Sequence, residues 1–284
     1  MSPALFCKLQ TILPQHLLSR IAGYLSNCEQ TSIKNWLIRH IMQRYQIDLS
    51  YALETDPMQY KSFNAFFTRA LAPDARPFTI ADDTVLSPAD GCLTQYGAYT
   101  ADQLIQAKGH HFSAIELLGA EFDDLDTFRQ GNFATVYLSP RDYHRVHLPM
   151  AGTLRAMTHI PGRLFSVNQA TSLHIPNLFA RNERVACFFE TAAGPMAVVF
   201  VGAMLVASIV TQWHGVVTPS DQQHIQHWDY FSSEQQHFEQ GAEIGHFRFG
   251  STVIVLWPQH TDFNPKFKAG DAIQMGQCLG TTAV

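Results

Sequence analysis

An α+β protein, with an antiparallel β-rich core of sandwich or barrel-like form and amphipathic helices at its N-terminus, is what this 284-residue sequence predicts. Three observations point there. From about Thr84 onward, β-branched and aromatic runs are short and are punctuated at close intervals by Gly and Pro, as in a series of strands joined by turns. Before that point the apolar residues recur at helical spacing instead. A composition that is 46% hydrophobic and 12% aromatic is ample for a substantial core.

The helices come first. After Pro14, residues Leu17, Leu18, Ile21, Tyr24 and Leu25 share one helical face, and Ile33, Trp36, Leu37, Ile41 and Tyr45 share another after a Ser32 cap. A shorter helix is expected within Ser62 to Leu71, carrying Phe63, Phe66, Phe67 and Arg69. Strands are expected at Gly91 to Tyr96, Phe133 to Leu138, Gly152 to Met157, Arg184 to Glu190, Met196 to Val201, Leu205 to Thr211, Thr252 to Trp257 and Ala272 to Met275. One helix, Ser113 to Leu118, interrupts them. The apolar run Pro195 to Val210 is too short for a membrane-spanning helix, and its valines with Gly202 read as buried strand. No repeat or flexible linker separates these pieces. The chain is therefore expected to consist of a helical region, 1–72, packed on a β-rich core, 73–284.

Charge is sparse and uneven. Only 15% of residues are charged, and residues 1–45 carry Lys8, Arg20, Lys34, Arg39 and Arg44 against Glu29 alone, a local +4 in a chain of net −5. A basic segment rich in Leu and Ile on an acidic body suits an anionic membrane surface. Ordinary packing of those helix faces against the body is the competing expectation. Nucleic acid is not expected as a partner, because no basic cluster is interleaved with aromatics elsewhere. Five widely spaced cysteines, Cys7, Cys28, Cys92, Cys187 and Cys278, form no Cys-x-x-Cys pair, which argues for a reducing compartment and against a zinc ribbon or disulfide framework. Lys8, Gln10 and Pro14 interrupt any signal-peptide core.

The chemistry concentrates in three places. In Phe249-Gly250-Ser251-Thr252, glycine offers no Cβ to hinder attack of the Ser251 hydroxyl on the Gly250 carbonyl, although a plain Gly-Ser turn before the Val253-Ile254-Val255 strand is the commoner meaning of such a pair. Ser87-Pro88-Ala89-Asp90-Gly91 sets a carboxylate in a turn entering a strand. The Leu138 to His147 stretch holds His144 and His147 three residues apart; a third ligand is missing nearby, so no metal is expected. A histidine base needs only a carboxylate to orient it and a hydroxyl to deprotonate, and Asp90, His147 and Ser251 supply that set. Their order in the chain proves nothing by itself. Ser251 also lacks the Gly-x-Ser-x-Gly setting of a nucleophile elbow.

Seven motifs occur in order from about residue 60 to the C-terminus: Phe63-Asn64-Ala65-Phe66-Phe67-Thr68-Arg69, Ser87 to Gly91, Lys108-Gly109-His110-His111-Phe112-Ser113, Tyr143-His144-Arg145-Val146-His147, Pro161-Gly162-Arg163-Leu164-Phe165-Ser166-Val167-Asn168, Asn182-Glu183-Arg184 and Gly245 to Thr252. Together they resemble the bacterial phosphatidylserine decarboxylases. Phe249 stands where that family usually has Leu. The resemblance implies that the proenzyme cuts itself between Gly250 and Ser251 into a β chain, 1–250, and an α chain, 251–284. Ser251, deprotonated by His147 with Asp90 orienting the imidazole, would be the nucleophile and would become a covalent pyruvoyl group, the only cofactor implied. His144 would assist decarboxylation or protonation. The resemblance further implies phosphatidylserine as substrate, phosphatidylethanolamine as product, a peripheral place on the cytoplasmic face of the bacterial membrane, and a homodimer. Arg163 and Arg181 are candidates for phosphate contacts, against the commoner role of surface arginines. Two other classes stay open: a serine hydrolase using Asp90, His147 and Ser251 without self-cleavage, and a non-catalytic membrane-binding module.

Overall fold

A computed structural model describes residues 3–100, 102–107, 110–119, 125–204, 208–220, 222–230, 236–248 and 251–282. Its centre is a nine-stranded antiparallel sheet. In spatial order the strands are Gln226–Asp229, Gly152–Ile160, Arg184–Thr191, Gly194–Val201, Ser251–Trp257, Gly131–Leu138, Gly91–Tyr99 and Ala272–Ile273, with His237–Phe238 also pairing on Gly152–Ile160. Every residue of Ser251–Trp257 is buried, because its strand lies between two neighbours and is covered on both faces. Phe133, Phe188, Phe189, Phe200, Phe247 and Trp257 fill the core, each worth roughly 1.5–3 kcal/mol or more on burial. A smaller sheet, ordered Gly215–Val216, Ile209–Thr211, Glu243–Phe247 and Arg145–His147, stands beside it.

The expected α+β architecture is present. Strands and the Ser113-capped helix over Ala114–Leu118 fall where the punctuated pattern puts them. Several details differ: the Ala272 to Met275 expectation reduces to Ala272–Ile273, and Thr84–Leu86, Gln103–Ala107, Gln226–Asp229, Glu243–Phe247 and Cys278–Thr282 are strands outside the expected set. The Leu205 to Thr211 expectation reduces to the strand Ile209–Thr211, with 205–207 outside the described residues. The Phe-rich helix is shorter, Phe63–Phe67, where Ser62 Oγ accepts the Ala65 N–H and Arg69 is drawn off to bond the Arg141 and Asp142 carbonyls. Ser32 is no cap, since the helix starts at Thr31.

Three helices open the chain: α1 (Pro3–Ile12), α2 (Gln15–Ser26) and α3 (Thr31–Tyr45). The first was not legible in the apolar spacing. In α2 the amphipathic pattern is turned inside out: Gln15, Ser19 and Ser26 are buried, while Leu17, Ile21, Tyr24 and Leu25 are exposed, Tyr24 by 81%. Ile12 at the end of α1 is 82% exposed. Contiguous exposed apolar surface of this kind marks an interaction face. One expected membrane-facing charge is absent from it: Lys34 is buried, its Nζ donating to the Met58 and Tyr60 carbonyls at 2.7 and 2.8 Å. Ile38, Phe63, Phe66 and Phe67 build a second, smaller core cluster beneath α3. Among the described residues no helix is long and apolar enough to cross a membrane.

Candidate active site

Strand register brings five of the seven motifs to one end of the central sheet. Ser251 stands opposite Leu138, and Thr252 lies between Tyr137 and Val201. Arg184 pairs with both Val201 and Ile160, and Cys92 pairs with Tyr137. Asp90-Gly91, the Ser139 to His147 loop, Pro161-Gly162 and Asn182-Glu183-Arg184 therefore share the edge at which Ser251 begins its strand. Gly91 is required there by close approach: a Cβ would sit on the Tyr137 carbonyl oxygen.

Ser251 has no exposed surface, and its Oγ makes no hydrogen bond. A buried hydroxyl without a partner is costly and calls for an explanation, of which a catalytic role is one; Thr252 Oγ1 beside it and Thr135 Oγ1 on the neighbouring strand share the condition. Phe249 and Gly250 lie outside the described residues.

His144 reaches this end through the smaller sheet. The Phe247 N–H donates to the His144 carbonyl at 3.1 Å, so the loop carrying His144 is level with the chain four residues before Ser251. The imidazole is fully buried and stacks on Phe67 with centroids 4.0 Å apart and planes at 18°. Burial, reinforced by the Arg69 guanidinium, pushes its pKa well below the ordinary histidine value, so the ring is neutral. Neither ring nitrogen makes a well-formed hydrogen bond.

His147 sits farther back along the same ladder, opposite Glu243. Its Nδ1–H donates to the Gly241 carbonyl at 2.8 Å, which leaves Nε2 as the basic nitrogen, and Nε2 accepts from Tyr143 Oη at 2.9 Å. A hydrogen bond of the kind the resemblance implies for Asp90 is thus made in this structure by the Gly241 carbonyl, while the Asp90 carboxylate acts on the imidazole through its charge, raising its pKa. Asp90 is held elsewhere. Its carboxylate accepts from Arg76 Nε and Nη2 at 3.1 and 2.5 Å and from the Met275 N–H at 2.9 Å. The two segments still touch, since the His147 N–H donates to the Pro88 carbonyl at 2.8 Å. His147 lines a recess of about 260 Å³ together with Arg76, Tyr143, Arg145, Glu243 and Met275, and Asp90 meets that recess only through its partners Arg76 and Met275, with no hydrogen bond between its carboxylate and the imidazole.

Arg76, Tyr143 and Gly241 were not singled out from the sequence. Tyr143 lies within a quoted motif, four residues before His147, whereas Arg76 follows Pro73 with no signal of its own. Among the described residues no cluster of His, Cys, Asp and Glu is arranged to hold a metal ion. A second and larger cavity, about 690 Å³, opens beside Thr252; Tyr137, Ser139, Asp142, Gln106, Val167 and Leu173 are among its walls.

Burial lowers the His147 pKa from its ordinary value of 6.5, more than the Gly241 carbonyl and the Glu243 carboxylate raise it. A base held neutral in this way has a predictable pH signature. If His147 accepts the proton in chain cleavage, the rate for precursor made by cell-free translation is level above about pH 7 and declines in acid with a midpoint below 6.5. The same depressed pKa means that stability from the neutral ring is present above 6.5 and is lost as pH falls, because the unfolded chain then binds the proton more readily. Fragment appearance on a denaturing gel across pH measures the rate; a midpoint above 6.5 points to another base.

Fold and site together define an α+β enzyme with a buried, unpartnered serine at the end of its central sheet. A family model described as "Phosphatidylserine decarboxylase" matches residues 63–281, and one described as "PSD" matches residues 5–46. The chain belongs to the phosphatidylserine decarboxylase family. It is 52% identical over 281 residues to a Pseudomonas fluorescens (strain Pf0-1) protein named phosphatidylserine decarboxylase proenzyme, covering 98% of each chain. Proteins of the same name from Methylococcus capsulatus and Azotobacter vinelandii are 51% and 50% identical, covering 98% and 100% of this chain and 96% and 100% of their own.

Proposed function

We propose that the protein decarboxylates phosphatidylserine to phosphatidylethanolamine, using a pyruvoyl group that it makes from Ser251 by cutting its own chain after Gly250. The observation that carries this reading is the buried Ser251 hydroxyl, unpartnered at the sheet end where the family motifs meet. That hydroxyl fits the implied group, because it has no structural bond to lose.

The chain's own residues would act as follows. Nε2 of His147, which accepts a hydrogen bond from Tyr143, would take the hydroxyl proton and return it to the departing amine nitrogen. Ser251 Oγ bonds to the Gly250 carbonyl carbon as the Gly250–Ser251 amide C–N bond breaks, leaving an ester and a free amine. Loss of the Ser251 Cα proton with rupture of the Cβ–O bond frees the Gly250 carboxylate. Water then displaces ammonia, leaving the pyruvoyl carbonyl. That ketone would supply an electron sink for the electron pair left on the substrate Cα when neutral CO2 departs, which no ordinary side chain provides. The buried imidazole of His144, kept neutral, would assist decarboxylation or protonation by taking up a proton and passing it to the decarboxylated carbon.

A lipid substrate also gives the inverted helices a purpose. The exposed face of α1 and α2 would lie in the interface of an anionic bilayer on the cytoplasmic side, with Arg20 and Arg39 near it and without spanning it. Arg163 and Arg181, whose guanidinium carbons lie 5.6 and 5.1 Å from the Phe165 ring centre, are then candidates for lipid phosphate. The second core cluster sets residues 38–67 partly apart, while Cys7 of α1 joins the main core, so 1–72 as docking region and 73–284 as catalytic region would be divisions of role within one packed body.

Intact-protein mass spectrometry with a decarboxylation assay tests the proposal. The expected result is two polypeptides, 1–250 and 251–284, the second with the mass of an N-terminal pyruvoyl, together with CO2 release from phosphatidylserine. One uncut chain labelled at Ser251 by a fluorophosphonate favours the hydrolase instead.

A further inference from the structure

The polar residues on the inward side of α1 and α2 have a specific target. Gln10 and Gln15 are 1% and 3% exposed, and both amide oxygens accept from the backbone of one short segment: Gln15 Oε1 from the Leu164 N–H at 2.9 Å, and Gln10 Oε1 from the Ser166 N–H at 2.8 Å. Gln15 Nε2 donates to the Gln10 carbonyl at 2.7 Å, tying the two helices together. The His16 ring meets the Gly162 carbonyl at 2.9 Å, and Arg163 Nη2 donates back to the Thr11 carbonyl at 2.7 Å. On its other side the segment is held by Asn182, which exchanges hydrogen bonds with the Phe165 N–H and carbonyl, and by the Glu183 N–H, which donates to the Arg163 carbonyl. Residues 162–166 are thus clamped like a strand between Asn182-Glu183 and two glutamine side chains.

This segment leads directly into the cavity beside Thr252. Val167 lines that cavity, Asn168 caps the helix Gln169–His174, and Ser172 and Leu173 of that helix continue the wall. Helix α1 packs on the helix Gln169–His174. The helices whose apolar face looks outward are therefore the same ones that fix one wall of the larger cavity. Burying two glutamines in helices that carry leucines outside is unfavourable unless their amides are used. Here three of the four amide groups are used, and only Gln10 Nε2 has no partner.

We propose that Gln10 and Gln15 are positioning residues that lock the Gly162–Ser166 segment, and through it the Val167–Leu173 wall of the substrate cavity, to the outward-facing helices. Docking of α1 and α2 on a lipid surface and the shape of the cavity are then mechanically one thing. The role rests on the decarboxylase reading for its substrate, but the clamp itself does not.

The test uses the full-length chain with Gln10→Leu, Gln15→Leu, the double variant and Gln10→Glu. Assays use vesicles of phosphatidylserine in phosphatidylcholine. The double variant is expected to cut itself and to sediment with vesicles as the wild type does, because Ser251 and the exposed leucines are untouched. Its KM for phosphatidylserine should rise about tenfold with kcat nearly unchanged. Amide hydrogen exchange at Leu164 and Ser166 should quicken by about tenfold or more. Gln10→Glu keeps the accepting oxygen and replaces only the unpartnered nitrogen, so its KM should stay near wild type while that of Gln10→Leu moves. Unchanged KM and exchange in the double variant, or equal effects of Glu and Leu at position 10, overturn the proposal. If the double variant does not fold, the single variants are read by the same criteria. Absence of decarboxylation in the wild type would sink the functional reading alone, leaving the exchange result to decide the clamp.

Discussion

Ser251→Ala protein is expected to remain one uncut chain and to release no CO2 from phosphatidylserine. The effect should be total, because a single hydroxyl is assigned two consecutive duties: nucleophile in the cut and precursor of the electrophile that turns over lipid. Removing one oxygen from a site where it makes no hydrogen bond leaves no structural partner unsatisfied. The variant should therefore fold as stably as the uncut precursor, and circular dichroism with thermal melting checks that. Efficient cutting of the Ser251→Ala chain would dismiss Ser251 as the nucleophile. A protein that stays whole in the wild type but loses lipid hydrolysis in the variant would favour the hydrolase.

The second large effect separates the two histidines. His147→Ala should slow self-cleavage by about 10²–10⁴-fold, the usual contribution of a positioned base. His144→Ala should still cut, yet fail to turn over lipid. The physical basis lies in their surroundings. His147 has a fixed tautomer, with Nδ1–H on the Gly241 carbonyl and a basic Nε2 in contact with Tyr143, so it is built to accept a proton early. His144 is buried and neutral, with neither ring nitrogen in a well-formed hydrogen bond, and is stacked on Phe67. Its truncation also opens a cavity against Phe67, at a cost of about 1–3 kcal/mol, so a Tm comparison must accompany the assay. Cleavage defects of equal size at both positions would end the division of labour.

How much of this could be read in advance differs from element to element. The central strands were legible because burial on both faces leaves near-continuous β-branched and aromatic runs between Gly and Pro, and Ser251, His147, His144 and Asp90 stood out as reactive types within ordered motifs. Their partners were not. Arg76 reaches Asp90 from a loop, and the carbonyl of Gly241 reaches His147 across 94 positions; backbone acceptors leave no mark in side-chain pattern. The face of α2 was visible as apolar, but spacing is blind to which side meets the protein, and only the burial of Gln15, Ser19 and Ser26 resolved it. Lys34 is the complement: a charge counted toward a membrane that in the fold ties α3 to two carbonyls.

The place of the Ser251–Trp257 strand also fixes a chronology. It runs between Gly131–Leu138 and Gly194–Val201, both on the N-terminal side of the proposed cut. Its C-terminal continuation crosses back to give Asp90 the Met275 N–H and to pair Cys278–Thr282 with Thr84–Leu86. A segment threaded into the middle of a sheet cannot be inserted late without opening that sheet. If the chain cuts itself as proposed, folding must come first and scission second, and the mature protein would inherit as two interlocked pieces an arrangement that only an unbroken chain could have woven.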